Sequence, residues 1–137
     1  MKKKSPSVVQ VSGSRKKAIA RATVKPGNGL VRINSLELNG YGNLLSRMKI
    51  KEPLMVAGKS AKEYDFNIKV AGGGWMSQAE AVRLTIAKGL VAITKSDDLR
   101  KRFIAYDRNL LVADSRQTEP HKPCRSSARA AKQTSKR

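Results

Sequence analysis

The amino-acid sequence predicts an α+β domain in which a small sheet packs against helices. Residues 16–25 and 64–70 alternate between polar and apolar side chains, which is the period of a half-buried strand. Residues 77–93 instead carry apolar side chains at helical spacing. With the weaker patterns between them, these segments give the order β-β-β-α-β-α-α, which is typical of a sheet with helices packed on it.

The first two predicted strands precede residue 26. Three valines within residues 8–11 predict a short strand after a start that we expect to be disordered. Residues 16–25 alternate more clearly, because small apolar side chains share one face and mainly basic side chains share the other. The face expected to point inward consists of Ala18, Ala20, Ala22 and Val24.

A turn and two further strands follow. Residues 26–29, with the sequence Pro-Gly-Asn-Gly, are a turn signal, and the apolar residues within 30–33 predict a third strand. We therefore predict that residues 16–34 form a hairpin. Residues 64–70 alternate cleanly, so this strand is expected to bury Tyr64, Phe66, Ile68 and Val70.

Helical spacing appears between the third and fourth strands. Leu44, Leu45 and Met48 recur at helical spacing after Gly42-Asn43, which predicts a helix. Pro53 is expected to start a second helical piece or to kink the first, because proline cannot donate a backbone hydrogen bond. This piece extends to Ala57.

Two helices are predicted in the second half of the chain. Ser77 and Glu80 have the spacing of a capping box and predict the start of the longer helix. Asp97 or Asp98 is expected to cap a shorter helix that carries Leu99, Phe103 and Ile104. The predicted buried stripe of the longer helix is Ala79, Val82, Ile86, Leu90 and Ile93.

Charge is the strongest indication of function. The 137 residues include 29 Lys and Arg but only 10 Asp and Glu, which gives a net charge of +19. A folded protein with this charge repels itself unless a polyanion binds it, so a nucleic acid or an acidic membrane surface is the expected partner. No apolar run approaches the roughly 20 residues that cross a bilayer, and no signal-peptide pattern follows the initial lysines. We therefore expect a cytoplasmic protein without a membrane partner.

The basic residues are concentrated at the two ends of the chain. Residues 1–36 contain nine basic residues and no acid, and residues 115–137 contain seven basic residues and one acid. Large apolar residues are absent after about residue 114. These boundaries predict a basic disordered N-terminus at 1–7, a globular RNA-binding domain at 8–114 and a basic C-terminal tail at 115–137.

Two basic groups are the candidate nucleic-acid contacts. The first lies in the acid-free start of the chain, and the second is spread through the tail between small residues, which suits a segment that threads between RNA strands. We predict RNA binding by Arg15, Lys16, Lys17, Arg21, Arg116, Lys122, Arg125, Arg129 and Lys132.

Other chemistries receive little support. His121 and Cys124 could begin a metal site, but the chain contains no other Cys or His to complete tetrahedral coordination. The single cysteine also rules out an internal disulfide framework and agrees with a reducing compartment.

The glycines at 72–74 precede a helix, yet no phosphate-binding lysine motif follows them, so a tight strand-to-helix connection is favoured over a nucleotide site. No cofactor, metal or small-molecule substrate is predicted, and an enzyme is the weaker interpretation.

Several motifs together carry a family resemblance over almost the whole chain from about Val8. They comprise Gly13–Ala22, Ile33-Asn34, Gly72–Gly74 with Gln78-Ala79 and Arg83, Leu111–Arg116, Ala128-Arg129, Gln133 and the ending Ser135-Lys136-Arg137. In these segments the sequence resembles the universal ninth protein family of the small ribosomal subunit, in its archaeal form. The family commonly has Lys-Lys-Pro-Gly where this chain has residues 121–124, His-Lys-Pro-Cys.

This resemblance implies a more specific function than the charge pattern does. It implies an α+β domain with a left-handed βαβ crossover, seated on ribosomal RNA of the small-subunit head beside neighbouring ribosomal proteins. It also implies that the tail runs through RNA and that Ser135, Lys136 and Arg137 approach the transfer RNA in the peptidyl site. A DNA-compacting chromatin protein is the main alternative, and a preference for duplex DNA over structured RNA would support it.

Overall fold

The computed structural model describes residues 8–131 and 135, and it confirms the α+β fold. Within the described residues, the strands are β1 Val9–Arg15, β2 Ala18–Pro26, β3 Val31–Ile33, β4 Leu36–Glu37 and β5 Tyr64–Ala71. The α-helices are α1 Leu44–Ala57, α2 Trp75–Thr94 and α3 Asp97–Tyr106. Three short 3₁₀ helices lie at Leu38–Gly40, Gly58–Glu63 and Arg108–Leu110.

The sheet has the strand order β1-β2-β5-β3-β4. Its neighbouring strands are antiparallel except for β3 and β5, which run parallel. Parallel neighbours need a crossover connection, and α1 lies within the connection from β3 to β5. The late strand β5 is therefore central, and it separates the chain's second and third strands from each other.

The predicted hairpin over residues 16–34 is wrong, because β2 pairs with β1 and β5 and not with β3. The carboxylate of Asp65 accepts hydrogen bonds of 2.9 Å from the backbone amides of Asn28 and Leu30. The Gly27 amide also donates to the Glu63 carbonyl at 2.9 Å. These bonds hold the turn beside the start of β5. The chain therefore leaves the turn on the side of β5 opposite β2, where it forms β3. Backbone hydrogen bonds from Leu30 and Asn28 keep the pKa of Asp65 below its ordinary value.

The true hairpin joins β1 to β2 at the basic motif. Arg15 lies opposite Ala18 in the register, which leaves Lys16 and Lys17 as the two-residue turn. Lys16 adopts a φ of 53°, a left-handed backbone conformation that is common in tight turns. The alternation predicted over residues 16–25 agrees with β2 from Ala18 onward, whereas its first two residues form the turn.

Small residues on β2 allow α2 to approach the sheet closely. The predicted inward face of β2, from Ala18 to Val24, is fully or almost fully buried. A Cβ atom at Gly89 of α2 would lie 2.7 Å from Cγ2 of Val24, and one at Gly13 of β1 would lie 2.7 Å from Oγ1 of Thr85. Larger side chains at these positions would separate the helix from the sheet.

The predicted first helix exists as one continuous helix. Pro53 lies inside α1 without dividing it. The apolar residues whose spacing predicts this helix, Leu44, Leu45 and Met48, are more than half exposed. The buried residues of α1 are Ser46, Ile50, Pro53 and Ala57. The buried face thus includes a serine, whose hydroxyl and amide both hydrogen-bond to the side chain of the N-cap residue Asn43.

The predicted caps of the later helices are also wrong, although the helices exist. Helix α2 begins at Trp75 after the N-cap residue Gly74, which makes no side-chain cap bond, so Ser77 is already helical. Helix α3 is capped by Ser96, which accepts a hydrogen bond from the Leu99 amide at 3.4 Å. The predicted stripe of α2 is buried from Ala79 to Leu90, and Ile93 is half-buried.

The glycine segment after β5 packs directly against the basic hairpin. Gly72 and Gly73 adopt φ values of 78° and 65°. A Cβ atom at Gly72 would lie 2.5 Å from the Lys17 carbonyl oxygen, and one at Gly73 would lie 3.0 Å from the Ala18 amide nitrogen. Positive φ and close backbone contact are the two conditions that favour glycine, so the tight-connection interpretation of this motif accounts for both residues.

A buried arginine joins the helices. Arg83 of α2 is 7% exposed, and its guanidinium lies 2.6 Å from Glu52 of α1 and 2.9 Å from Asp107 after α3. Burial raises the pKa of Asp107, but the hydrogen bonds from the Asn109 amide and from Arg83 outweigh it, so the pKa is lowered from 3.8. This carboxylate therefore stabilises the fold above about pH 4, and its contribution is lost as the pH falls through the lowered pKa.

We predict that Gly72→Ala destabilises the domain by at least about 2 kcal/mol, because alanine disfavours the left-handed backbone and its Cβ meets the Lys17 carbonyl. Urea denaturation would measure this change. Gly40→Ala is the matched control, since nothing lies within 4 Å of its Cβ position and its φ is not positive. Equal stability of the two variants would show that the close contact at Gly72 is not real.

We also predict that Arg83→Met lowers the free energy of unfolding at pH 7 by about 2–4 kcal/mol, because two carboxylates lose their partner. The difference from the original protein should shrink as the pH falls below about 4, through the lowered pKa of Asp107, because that carboxylate becomes protonated. Denaturation at several pH values would measure both effects. Arg102→Met on the exposed surface of α3 is the control and should change stability by less than about 0.5 kcal/mol. A pH-independent difference would contradict the charge-based explanation.

Candidate nucleic-acid interface

Lys16 and Lys17 stand at the tip of the β1–β2 hairpin, where both side chains are exposed. They line a concavity of about 390 Å³ together with Gly73, Gly74, Ser77, Gln117 and Thr118. No carboxylate is among these lining residues. The two lysines therefore share one recess with the glycine segment and with the first residues of the C-terminal tail.

The amino terminus of α2 opens into the same recess. Its N-cap residue Gly74 provides no side-chain acceptor, and its first turn contains no acidic residue. The backbone amides at a helix start carry partial positive charge and favour an anion. A helix capped by Ser77, as the sequence predicts, would place the carboxylate of Glu80 in the first turn, where it would repel an anion. Because the helix begins at Trp75, Glu80 lies beyond that turn, and its carboxylate is paired with Arg15.

Arg15 has a different environment from the two lysines beside it. Its Nε lies 2.9 Å from Glu80 Oε2, and its Nη2 lies 3.4 Å from Asp114 Oδ2. Its side chain is only 16% exposed. In this structure Arg15 thus connects β1, α2 and the segment after Leu110, so it holds the start of the tail against the folded domain.

Arg116 completes this group of ion pairs from the tail side. Its guanidinium binds Asp114 in a two-pronged contact of 2.7 to 3.1 Å, and its own amide also donates to Asp114 at 2.9 Å. The Arg116 side-chain hydrogen bond is the main cause that holds the pKa of Asp114 far below its ordinary value. The same bond raises the pKa of Arg116. Arg116 is nevertheless 79% exposed, so its outer edge is accessible.

Arg21 lies apart from the hairpin tip. It is exposed on the face of the sheet that the helices do not cover, directly opposite Lys69 of β5. The motif that looked like one basic cluster is therefore divided among an ion-paired Arg15, an exposed lysine turn and an open sheet face. The sequence placed Lys69 outward on its strand but could not show that it neighbours Arg21, because that depends on strand order.

The tail residues that the structure describes are exposed. Lys122 and Arg125 are exposed, and Arg129 forms an ion pair of 2.8 Å with Glu119 at a site where the arginine is 87% exposed. Ser135 is also exposed. The predicted RNA contact Lys132 and the predicted transfer-RNA contacts Lys136 and Arg137 lie outside the described residues.

At residues 121–124, where the sequence differs from the family motif, Cys124 has an unusual backbone conformation. Pro123 and Cys124 lie in a turn, and Cys124 has a φ of 61°, in the region that favours glycine. Cysteine thus adopts the backbone conformation for which the family's glycine is suited.

Across residues 8–131 and 135, no group of three or more His, Cys, Asp or Glu residues could hold a metal ion. In the same residues, every helix is too short or too polar to span a bilayer.

Comparison with known proteins identifies the family. A model of the family described as ribosomal protein S9/S16 matches residues 13–137. The small ribosomal subunit protein uS9 of Desulfurococcus amylolyticus is 50% identical over 130 residues, which cover 95% of this chain and 93% of that protein. The protein of the same name from Methanococcus maripaludis is 46% identical over 132 residues, covering 95% of this chain and 98% of that protein. The chain therefore belongs to the ribosomal protein S9/S16 family, and it is a structural ribosomal protein and not an enzyme.

Proposed function

We propose that this protein is a cytoplasmic component of the small ribosomal subunit, that it binds ribosomal RNA of the head, and that its tail contacts transfer RNA in the peptidyl site. Family membership and the names of its relatives support the first part. The observation that carries the RNA contact is the acid-free recess at Lys16 and Lys17 beside the open start of α2. Ribosomal proteins of the head are the expected protein neighbours.

At the recess, a backbone phosphate is the proposed ligand. The ammonium groups of Lys16 and Lys17 supply charge, and the amides at the start of α2 supply directed hydrogen-bond donors. Contacts of this kind fix where the protein sits without reading the base sequence. Each neutralised phosphate should contribute about −0.7 to −0.9 to the slope of log affinity against log salt concentration.

Residues 8–114 are proposed to act as the folded domain that sets position, and residues 115–137 as a tail that orders on RNA. The tail contacts are Arg116, Lys122, Arg125, Arg129 and Lys132. The exposed pair between Arg129 and Glu119 is of a type that contributes little stability, so a phosphate can replace the carboxylate at small cost. Arg15 would need a similar exchange of Glu80 or Asp114 to reach a phosphate, and it also positions the tail.

Ser135, Lys136 and Arg137 are proposed to contact the transfer RNA. Positive charge attracts the phosphates of any transfer RNA, whereas contacts to base edges would favour some over others. A peptidyl-site contact must accept many different transfer RNAs. Recognition by charge therefore fits the residue types at this end of the chain.

The test of the RNA assignment is a competition at near-physiological salt between small-subunit head-domain RNA and duplex DNA of equal charge. We expect the protein to prefer the RNA. Equal binding, or preference for DNA, would favour the chromatin alternative. The double variant Lys16→Gln/Lys17→Gln should bind the RNA with a salt slope shallower by about 0.7 to 0.9, which corresponds to the one lost phosphate contact.

A matched control removes the same charge elsewhere. Lys51 on α1 and Lys101 on α3 are exposed and take part in none of the ion pairs recorded for the described residues. Lys51→Gln/Lys101→Gln should change the slope much less than the turn variant does. If the two double variants weaken binding equally, net charge and not the recess would determine affinity.

Deletion of Ser135-Lys136-Arg137 tests the transfer-RNA contact. We expect the truncated protein to fold and to enter the small subunit, because the buried core lies before residue 111. Subunits that contain it should bind peptidyl-site transfer RNA more weakly than subunits with the full chain. A variant that replaces Lys136 and Arg137 with glutamine should reproduce the loss. Unchanged transfer-RNA affinity in both would contradict the proposed contact.

A further inference from the structure

Within the part of the chain that the structure describes, no helix covers one face of the sheet. The helices pack on the side of Ala18, Ala20 and Ala22, and the opposite side of β1, β2 and β5 is exposed. A groove of about 510 Å³ runs across this open face. The side chains that face it are Gln10, Ser12, Arg21, Thr23, Asn67 and Lys69.

We propose that this open face is a second RNA-binding surface, and that it takes the backbone of helical RNA. The inference rests on the proposed function, but it concerns a different surface from the lysine recess and the tail. Among its residues, only Arg21 was predicted from sequence to bind RNA. Lys69 and the polar residues around it join the surface through strand pairing.

Strand register arranges these side chains in two rows. One row runs from Ser12 to Arg21 to Lys69, and the next runs from Gln10 to Thr23 to Asn67. Neighbouring strands lie about 4.8 Å apart, and alternate residues along a strand lie about 6.6 Å apart. The surface is therefore a compact grid of two cations, two hydroxyls and two amides.

The two cations indicate an anionic partner. Arg21 and Lys69 lie directly opposite each other on antiparallel strands, and like charges in this arrangement destabilise a sheet. Neither forms an ion pair with any described residue. The carboxylate of β5 nearest to them along the strand, Asp65, is held by the amides of Asn28 and Leu30. A phosphate between the two cations would remove their repulsion.

The adjacent side chains favour helical RNA over single strands and over DNA. Proteins that bind single strands stack bases on aromatic rings, and the groove has no aromatic residue among those that line it. Helical RNA instead presents a wide, shallow minor groove with 2′-hydroxyls beside its phosphates. Ser12, Thr23, Gln10 and Asn67 can donate to and accept from those hydroxyls, which DNA lacks.

The lysine recess and the open face can contact one RNA helix. Arg21 of β2 follows the turn residue Lys17 by four positions, which corresponds to about 13 Å of extended chain. The two surfaces are therefore adjacent but separate, so variants of one leave the other intact.

The test compares Arg21→Gln/Lys69→Gln with the control Lys51→Gln/Lys101→Gln, both in the full chain and with the head-domain RNA as probe. We expect the sheet variant to bind with a salt slope shallower by about 0.7 to 0.9, as for one lost phosphate contact, and the control to change much less. The sheet variant should also lose more affinity for duplex RNA than for a DNA duplex of the same sequence. Equal slopes in the two variants, or equal losses on RNA and DNA, would overturn the inference.

A second measurement uses the unaltered protein, so it does not depend on how a variant folds. Bound head-domain RNA should protect Lys69 from acetylation and leave Lys101 reactive. Unprotected Lys69 in the complex would overturn the inference. If the unaltered protein prefers DNA to head-domain RNA, the proposed function itself fails. If it prefers RNA while the sheet variant behaves like the control, only the open-face contact fails.

Discussion

The close approach of α2 to β1 and β2 is the constraint on which the rest of the structure depends. Buried alanines line most of the inner face of β2, and at Gly13 and Gly89 even a Cβ atom would lie 2.7 Å from an atom of the opposite element. With the helix at this distance, its first turn lies beside the Lys16-Lys17 hairpin, and Glu80 reaches Arg15. One packing contact thus places the lysine recess, the glycine segment and the start of the tail together.

The carboxylates of the domain are used largely within it. Glu80 and Asp114 bind Arg15, Glu52 and Asp107 bind Arg83, and Asp65 binds backbone amides. The pKa values of Asp65, Asp107 and Asp114 are lowered, so these three groups stay ionised at neutral pH and keep their partners. Because few acids remain to neutralise surface cations, the positive charge at the hairpin tip, on the open sheet face and in the tail is available to a polyanion.

Where the sequence interpretation failed, a distant residue had determined the local structure. The turn at residues 26–29 looks like a hairpin turn, but the carboxylate of Asp65 holds it at the start of β5. Leu44, Leu45 and Met48 indicate a helix but not its buried face, which packing on α2 determines and which includes Ser46. Ser77 looked like a cap, but the helix begins two residues earlier at Trp75, since the glycine segment already completes the connection from β5.

The sequence by itself determined the fold class, the inward faces of β2 and β5, the long helix, the basic ends and the family resemblance. These features are local or compositional, because periodicity and charge can be read within a few neighbouring residues. Only the tertiary structure decided that β5 separates β2 from β3, that Arg15 is held by two carboxylates, and that Arg21 faces Lys69. Each of these depends on contacts between residues more than thirty positions apart, and no local pattern specifies which distant segments will pair.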